Sequence, residues 1–278
     1  MAVKRTFWQA VEVIHEVVYF APDTKQRYEA IGLKGYWMGY VASRSAALGT
    51  PPPEVVIALF HGFAPRLIER ALPDAWSMAE RDDILATRIE LARDALVPGL
   101  ADADVGRLAN EVTAIWASLD FAGKALAAAH ASLPAPDDPV GRLWHAATIL
   151  REYRGDCHVA ILTAAGLDGA AANALAVADG RVPSNQRERR GWTEDEWAAA
   201  HERLRSRDWT NDTGTITDAG RAARAQIEDA TDRVSASSFD KEAQARTITL
   251  EDTLVSAARA IEASGAVKFP NPVGVRAP

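Results

Sequence analysis

The chain has almost no cysteine, since Cys157 is the single one among 278 residues. No intrachain disulfide can form, so a reducing compartment is expected and we place the protein in the cytoplasm. No apolar run approaches the roughly 18–20 residues that a membrane-spanning helix requires. The apolar stretch near the start is interrupted by Glu12, His15 and Glu16 and has no small-residue cleavage site. We therefore expect neither a signal peptide nor a membrane partner.

Familiar enzyme signatures are also missing. The sequence has no glycine-rich phosphate loop, GxSxG elbow, HExxH or CxxC motif, and it points to no cofactor. Cys157 and His158 are neighbours, but adjacent residues on a helix point about 100° apart, so we discount a nucleophile pair. Glu12 and His15 have the ExxH spacing of di-iron bundles, yet no second ExxH exists and we reject such a centre. No metal ligands are assigned. The alternative is a mononuclear site that combines a carboxylate with one or more of His15, His61, His145 and His158.

Positive charge is scarce as well. The formal net charge is −7, whereas proteins that bind nucleic acid usually gather Lys and Arg on one face, because phosphate contacts supply most of the affinity. A negative total still permits a local basic face. The hydrophobic fraction of 48% and the charged fraction of 25% are typical of a globular protein.

Helical periodicity dominates the sequence, and a proline-rich segment divides it. Residues 131–140 contain three prolines and cannot continue a helix. We predict a mainly α fold with two helical lobes, an aromatic-rich domain at residues 1–132 and a second domain at residues 140–278. Helices of the first lobe are expected at about 4–19, 23–31, 35–47, 53–71 and 78–96.

The first lobe holds most of the aromatic residues, with 11 of the 20 lying before residue 77. Such density fits either a core built on large rings or the wall of a pocket for a flat ligand. Arg44 lies in an apolar context and needs a partner if buried: Glu12, Glu16 or Asp74, or the anionic group of a ligand. The candidate ligand-binding residues of this lobe are His15, Tyr19, Trp37, Tyr40, Arg44 and His61.

A polar cluster lies early in the second lobe. His145, Glu152 and Asp156 share one face if the helix persists through Gly155, and His158 then points elsewhere. A break at Gly155 would instead bring His158 beside Asp156. The cluster is interpreted as a solvated face, as a ligand or metal site, or as an acid–base pair. We add His145, Glu152, Asp156 and His158 to the candidate ligand-binding residues.

The second lobe then follows a helix-turn-helix pattern. Residues 158–180 predict two helices joined by a turn at Gly166. Thr193 and Glu196 predict a capping box at the start of another helix. The run from Asn211 to Gly214 predicts a hairpin turn between short strands, and Thr217 is expected to cap a long helix reaching about residue 236.

This block resembles the MarR family of winged-helix regulators over roughly residues 140–235. The matching features are a helix ending at Leu204–Trp209, a short wing around Gly214 and the run Ile216–Arg221. In that family these features end the recognition helix, form the wing and start the next helix. The resemblance implies a winged helix with a short β-hairpin wing, DNA binding and a homodimer. The candidate DNA-binding residues are Arg187, Arg189, Arg190, Arg203 and Arg207.

The start of the presumed recognition helix departs from the MarR pattern. Glu194, Asp195 and Glu196 would face phosphates there, although acidic residues also favour a helix N-terminus for structural reasons. A helix-turn-helix unit that no longer binds DNA is therefore a second reading.

The rest of the chain is similar to a group of actinobacterial helix-turn-helix family members. The phrases that carry this similarity are YFAPD (19–23), GLKGYWMGYVASRSAALG (32–49), RALPDAW (70–76) and REYRGDCHVAIL (151–162).

Three functional hypotheses follow. The first is a winged-helix protein that binds a small hydrophobic or aromatic ligand between its lobes, in its regulator version on DNA. The second is an enzyme or sequestering protein on the same scaffold, without DNA binding, that uses a His, Asp and Arg pocket. The third is a scaffold that binds a protein partner and has neither activity.

Overall fold

The computed structural model describes residues 3–274, and within them it contains fifteen α-helices. The helices of the first half are α1 (Arg5–Phe20), α2 (Thr24–Ala30), α3 (Gly35–Ser45), α4 (Pro53–Leu59), α5 (Pro65–Glu69), α6 (Ala75–Met78), α7 (Arg81–Leu96), α8 (Val105–Trp116) and α9 (Ala125–Ala131). The helices of the second half are α10 (Pro139–Ala164), α11 (Gly169–Ala178), α12 (Gln186–Arg190), α13 (Glu194–Ser206), α14 (Asp218–Ala236) and α15 (Lys241–Ala263). Two short 3₁₀ turns lie at Ala46–Leu48 and Val97–Leu100. The predicted mainly helical character is confirmed.

Helix α10 is the longest element and lies at the centre of the molecule. Asp138 caps its start by accepting from the Gly141 backbone N–H at 2.8 Å, and Pro139 occupies the first turn, where no N–H partner is lost. The helix runs without a break through Gly155. It packs against α1, α7, α8, α9 and α14, so elements from both halves of the chain are joined by one helix.

The larger of two hydrophobic clusters combines α1, α3, α7, α8 and most of α10 with the distant helix α15. Buried side chains such as Phe7 and Ile14 of α1 meet Leu254 and Ile261 of α15 in this cluster. The end of the chain thus returns to the first core. The division into domains 1–132 and 140–278 stays a prediction.

The smaller cluster is a helix-turn-helix unit. It joins the end of α10 to α11, α13 and α14 through residues such as Leu162, Leu175, Leu204 and Ile227. The turn between α10 and α11 bends the chain by 98°, and Gly166 adopts a φ of 65° there, a backbone conformation that a side chain would strain. A steep crossing of this kind is typical of helix-turn-helix units.

The predicted β-hairpin wing is wrong, since no β-strand exists between residues 3 and 274. The loop at 209–217 has only an isolated antiparallel bridge between Thr210 and Ile216. The Asn211 side-chain oxygen accepts from the backbone N–H groups of Thr213 and Thr215, at 3.0 and 2.9 Å. The Asn211 side chain thus takes the Thr215 N–H, which in a longer hairpin would donate to a backbone carbonyl of the facing strand. The strand pairing therefore does not extend beyond the bridge.

In the described part of the chain, no single helix combines the length and the apolar character needed to cross a membrane. The bent pair of α10 and α11 together meets the length and composition criteria for a membrane-spanning segment, and only those criteria.

Candidate ligand-binding cleft

A cleft separates the larger core from the helix-turn-helix unit, and it has three adjoining compartments. We call them the outer, aromatic and central compartments, with volumes of about 210, 280 and 220 Å³. Phe63 and Arg190 line both the aromatic and the central compartments, and Val273 lines all three. Residues 269–274 are held in place partly because Asn271 donates to buried Glu16 at 2.9 Å. The three compartments are therefore neighbouring parts of one cleft.

The aromatic compartment is walled by side chains from α1, α3 and the turn after α4. Tyr19 lies against Tyr40 with ring centroids 4.8 Å apart, and Tyr40 lies 5.4 Å from Phe63. Trp37 contacts Phe63 at 6.0 Å, and 38% of its surface is exposed, which places it at the mouth. Because Tyr36, Trp37 and Tyr40 are spaced by three and four on α3, one helix face supplies most of the wall. Tyr19, Trp37 and Tyr40 are candidates from the sequence that meet in this compartment.

Arg190 is the polar group of the aromatic compartment. Its guanidinium lies 4.3 Å above the Phe63 ring, and its Nη2 donates to the Pro272 carbonyl at 2.8 Å. Its Nε is buried and has no partner among residues 3–274. Burial, together with the positive charges of Arg44 and Arg151, lowers the pKa of Arg190. This arginine, which the MarR resemblance assigns to DNA, faces the cleft.

Behind the aromatic wall lies a chain of buried polar groups. The Tyr19 hydroxyl accepts from Arg88 at 2.9 Å and lies 3.1 Å from His15 Nε2, while His15 Nδ1 lies 3.0 Å from Thr148. Burial and the charge of Arg151 lower the pKa of His15 well below its usual range. Burial also raises the pKa of Tyr19. His15 supports the wall from behind and does not line a compartment.

Arg88 was missed in the sequence. Only 1% of it is exposed, and its Nε and Nη1 have no hydrogen-bond partner in the described part of the chain. The signal that could have found it is its spacing on α7, because Ile84, Arg88 and Leu91 follow one buried stripe at helical intervals.

Arg44 finds a partner that its sequence context did not indicate. Its Nε and Nη2 donate to the two carboxylate oxygens of Glu152 at 2.8 Å each, and Arg151 adds a third bond at 2.8 Å. Burial opposes ionisation of Glu152, but the two arginines hold its pKa well below the usual range. Glu12, an expected partner of Arg44, accepts from Arg151 at 3.0 Å. Arg44 and Glu152 both line the central compartment.

His61 and Asp156 also line the central compartment, whereas His145 lines none of the three, and each of these side chains makes a structural contact. His61 Nε2 lies 3.1 Å from the Leu167 carbonyl in the turn between α10 and α11. His145 Nε2 lies 2.9 Å from the His130 carbonyl. Asp156 accepts from two backbone N–H groups in the first turn of α9 at 3.0 Å, and burial raises its pKa to about 6. Residues 3–274 contain no cluster of three or more His, Cys, Asp or Glu side chains that could hold a metal ion.

His158 lies between the outer and central compartments and points away from Asp156. Its Nδ1 is 2.9 Å from the Thr231 hydroxyl of α14. Burial lowers the pKa of His158 to about 4, with a contribution from Arg154, Arg181 and Arg224. These arginines all bond to Glu228, whose pKa falls to about 2 despite its burial. The local charges are thus paired within the protein.

The candidate DNA-binding arginines are largely engaged by the protein itself. Arg203 pairs with Asp168 at 2.8 Å, and Arg207 donates to the Ala165 and Gly166 carbonyls at 2.9 and 2.8 Å. Both side chains thus fasten α13 to the turn between α10 and α11. Arg187 pairs with Glu188 at 2.7 Å, and Arg189 donates to Asn185 at 3.0 Å.

The first turn of α13 is acidic, as the sequence indicated. The predicted capping box is confirmed, because Thr193 and Glu196 exchange both bonds. Glu196 also pairs with Arg66 of α5, while Glu194 and Asp195 remain exposed. From 193 to 221 there are seven carboxylates and four arginines, a net charge of −3.

Fold and site together describe a helical protein in which a helix-turn-helix unit packs on a larger core across a cleft. The model of the helix-turn-helix family matches residues 4–268, so the chain belongs to this family. No curated protein and no solved structure matches the chain. The family match includes the first core, the helix-turn-helix unit and the cleft lining except residues 272–274.

Proposed function

We propose that this protein binds a small, flat, hydrophobic or aromatic molecule in the aromatic compartment. The observation that carries the proposal is a cavity of about 280 Å³ with a nearly continuous wall of aromatic rings. Ligand pockets are lined mainly by apolar and aromatic side chains with a few convergent polar groups, and Arg190 supplies such a group here. The rings that form the wall are those of Tyr19, Phe20, Tyr36, Trp37, Tyr40 and Phe63.

The exposure of Trp37 favours a pocket over a simple core. Because 38% of the Trp37 surface is in contact with water, this side chain lacks part of the free energy that full burial of an aromatic ring provides. A flat ligand stacked on the ring would cover that surface and supply the missing free energy.

The aromatic compartment also adjoins the helix-turn-helix unit directly. Arg190 ends α12 and is followed by Gly191, whose φ of 80° turns the chain into α13. The Arg190 carbonyl accepts from the Ala64 N–H at 2.9 Å, and Arg66 pairs with Glu196 at the start of α13. A ligand that touches Arg190 therefore acts three residues from the N-cap of α13. If the ligand binds more tightly when α13 occupies one particular position, its binding increases the population of that position.

Membership in the helix-turn-helix family makes DNA a candidate partner of this unit, and the regulator version of the proposal takes DNA as the target. A homodimer belongs to that version. The net charge of −3 from 193 to 221 favours a second candidate, a ligand-binding protein whose unit does not contact DNA.

Thermal unfolding and calorimetry with naphthalene-2-carboxylate and naphthalene-2-carboxamide test the pocket. A ligand that binds only the folded state raises the unfolding temperature. We expect at least one of the two probes to bind. We expect Trp37→Ala to weaken that binding about tenfold, through the loss of one stacked ring. Val97→Ala, which removes another exposed apolar side chain outside the cleft, is the matched control. If neither naphthalene probe bound, the proposal would be overturned.

A further inference from the structure

We propose that the natural occupant of the aromatic compartment is an anion, namely a planar hydrophobic acid whose carboxylate pairs with Arg190. This inference rests on the proposed function and specifies the chemical class of its ligand.

The first argument is that Arg190 has no carboxylate partner among the described residues, although it faces the interior of the cleft. The arginines of the outer and central compartments do have such partners: Arg5, Arg44, Arg151, Arg154, Arg181 and Arg224. Arg189 at the mouth is exposed and bonds to Asn185. Arg190 is half-buried. A cation that is partly removed from water without a counter-charge is unfavourable, and an anionic ligand would reduce that cost.

The second argument is the charge balance around Arg190. Arg44 and Arg151, the two arginines whose charges act on Arg190, already engage Glu152 and Glu12, so neither carboxylate is paired with Arg190. The Pro272 carbonyl is the one acceptor of the Arg190 guanidinium within residues 3–274, and it also accepts from Gln186 at 3.1 Å. A carbonyl dipole does not neutralise a guanidinium. A ligand carboxylate would supply the counter-charge that Arg190 lacks among the described residues.

The third argument is geometric. Nε and Nη2 form the edge of a guanidinium that binds a carboxylate with two parallel bonds, as Arg44 binds Glu152. In Arg190 the Nε is covered and has no partner among residues 3–274, and the Nη2 holds the Pro272 carbonyl. A ligand carboxylate would replace Pro272 at Nη2 and reach Nε once the guanidinium turns toward the compartment. Since the guanidinium lies over the Phe63 ring, a ring attached to that carboxylate extends along the aromatic wall.

The test measures by calorimetry how tightly the full chain binds three probes with the same ring system. They are naphthalene-2-carboxylate, naphthalene-2-carboxamide and 2-naphthyl phosphate. We expect the carboxylate to bind about 10- to 100-fold more tightly than the neutral amide, the usual contribution of a charge-assisted hydrogen bond. We expect Arg190→Gln to remove this preference, so that the carboxylate and the amide bind with affinities within about twofold of each other. Arg190→Lys keeps the charge but not the two-bonded edge, and we expect it to retain part of the preference.

Arg107→Gln is the matched control, because Arg107 is exposed on α8 and lines none of the three compartments. Thermal unfolding of each variant verifies that it is folded, and the comparison of probes on the unaltered chain needs no variant. Equal affinities for acid and amide would overturn the inference and leave the proposed function standing. Tightest binding of the phosphate would overturn the carboxylate assignment. If no probe bound, both proposals would fail.

Discussion

At the residue scale, burial removes the ordinary chemistry of two histidines. His130 and His158 have pKa values lowered to about 3 and about 4, chiefly because the charged imidazolium would lose its hydration. Nearby arginines oppose protonation further. Neither ring is therefore suited to act as a general base that gains a proton near neutral pH.

His158 yields a prediction for stability against pH. In the unfolded chain a histidine binds a proton near pH 6.5, whereas folded His158 does so only near pH 4. Between these values the unfolded state binds more protons, so this histidine makes stability fall as the pH falls. We expect His158→Gln to reduce the slope of unfolding free energy against pH by about 1.4 kcal/mol per pH unit in that window. Urea unfolding from pH 4.5 to 7 measures the slope.

The control for this prediction is His201→Gln. The His201 ring is only partly buried, and its pKa is lowered by burial and by Arg205. We expect a smaller change of slope from it. Equal slopes for His158→Gln and the unaltered chain would contradict the assignment.

At this scale, the sequence indicated which charged side chains need a partner, but it did not indicate which residues are those partners. It found that Arg44 needs a counter-charge, but it named Glu12, Glu16 and Asp74 and missed Glu152, which is 108 residues away. Pairing between distant helices depends on how they pack, which helical spacing alone does not determine. Arg190 was predicted to bind DNA because it lies in a basic run of the sequence. Its position in a cleft could not be predicted, because no local sequence pattern indicates it.

At the scale of elements, the start of α11 is fixed by a close approach to another backbone. A Cβ on Gly169 would lie 1.9 Å from the His61 carbonyl oxygen and 3.0 Å from the Trp192 ring. The turn at 61–64 therefore packs directly on the helix-turn-helix unit, next to the aromatic compartment. Only glycine fits at this position without movement of one backbone.

We expect Gly169→Ala to destabilise the protein by about 1–3 kcal/mol, because a backbone carbonyl has to move to accept the methyl group. Gly106→Ala is the matched control. Its new methyl would meet nothing closer than 3.8 Å, within helix α8, so a gain of up to about 1 kcal/mol is expected. Urea unfolding of both variants measures the difference. A neutral Gly169→Ala would show that the 61–64 turn moves freely.

Local signals determined several elements, and tertiary contacts changed others. The caps at Thr193 and Thr217 were predicted because their bonds are made within one helical turn. The helix expected at 53–71 is divided into α4 and α5 by a turn at 60–64, in which Ala64 donates to the distant Arg190 carbonyl. The wing prediction failed because one asparagine side chain took bonds that a strand would need.

At the scale of the whole molecule, charge is distributed unevenly. The cleft gathers arginines although the chain carries a net charge of −7, while the face formed by α13 and the loop at 209–217 is acidic. Duplex DNA is repelled by such a face, because phosphate contacts normally supply the affinity.

We expect the double variant Glu194→Gln, Asp195→Asn to bind duplex DNA of arbitrary sequence at least about tenfold more tightly than the unaltered chain at low salt. The reason is that two exposed carboxylates no longer repel phosphate. The double variant Asp83→Asn, Glu90→Gln on α7 changes the charge equally at a distance and is the control. Gel shifts measure both. Equal affinity of the Glu194→Gln, Asp195→Asn variant and the unaltered chain would contradict the prediction. A specific shift with the DNA upstream of its own gene would favour the regulator version.

The continuity of α10 restricts how its length can change during evolution. Each residue added to a helix turns everything beyond it by about 100° and advances it by about 1.5 Å. One insertion near Gly155 would rotate the α10 residues that follow it, among them His158 and Leu162, away from their place in the wall of the central compartment. The insertion would also change the position of Glu152 relative to the α10 residues that come after the insertion. Relatives that keep this cleft should therefore differ in loop lengths, while the 26-residue span of α10 stays constant.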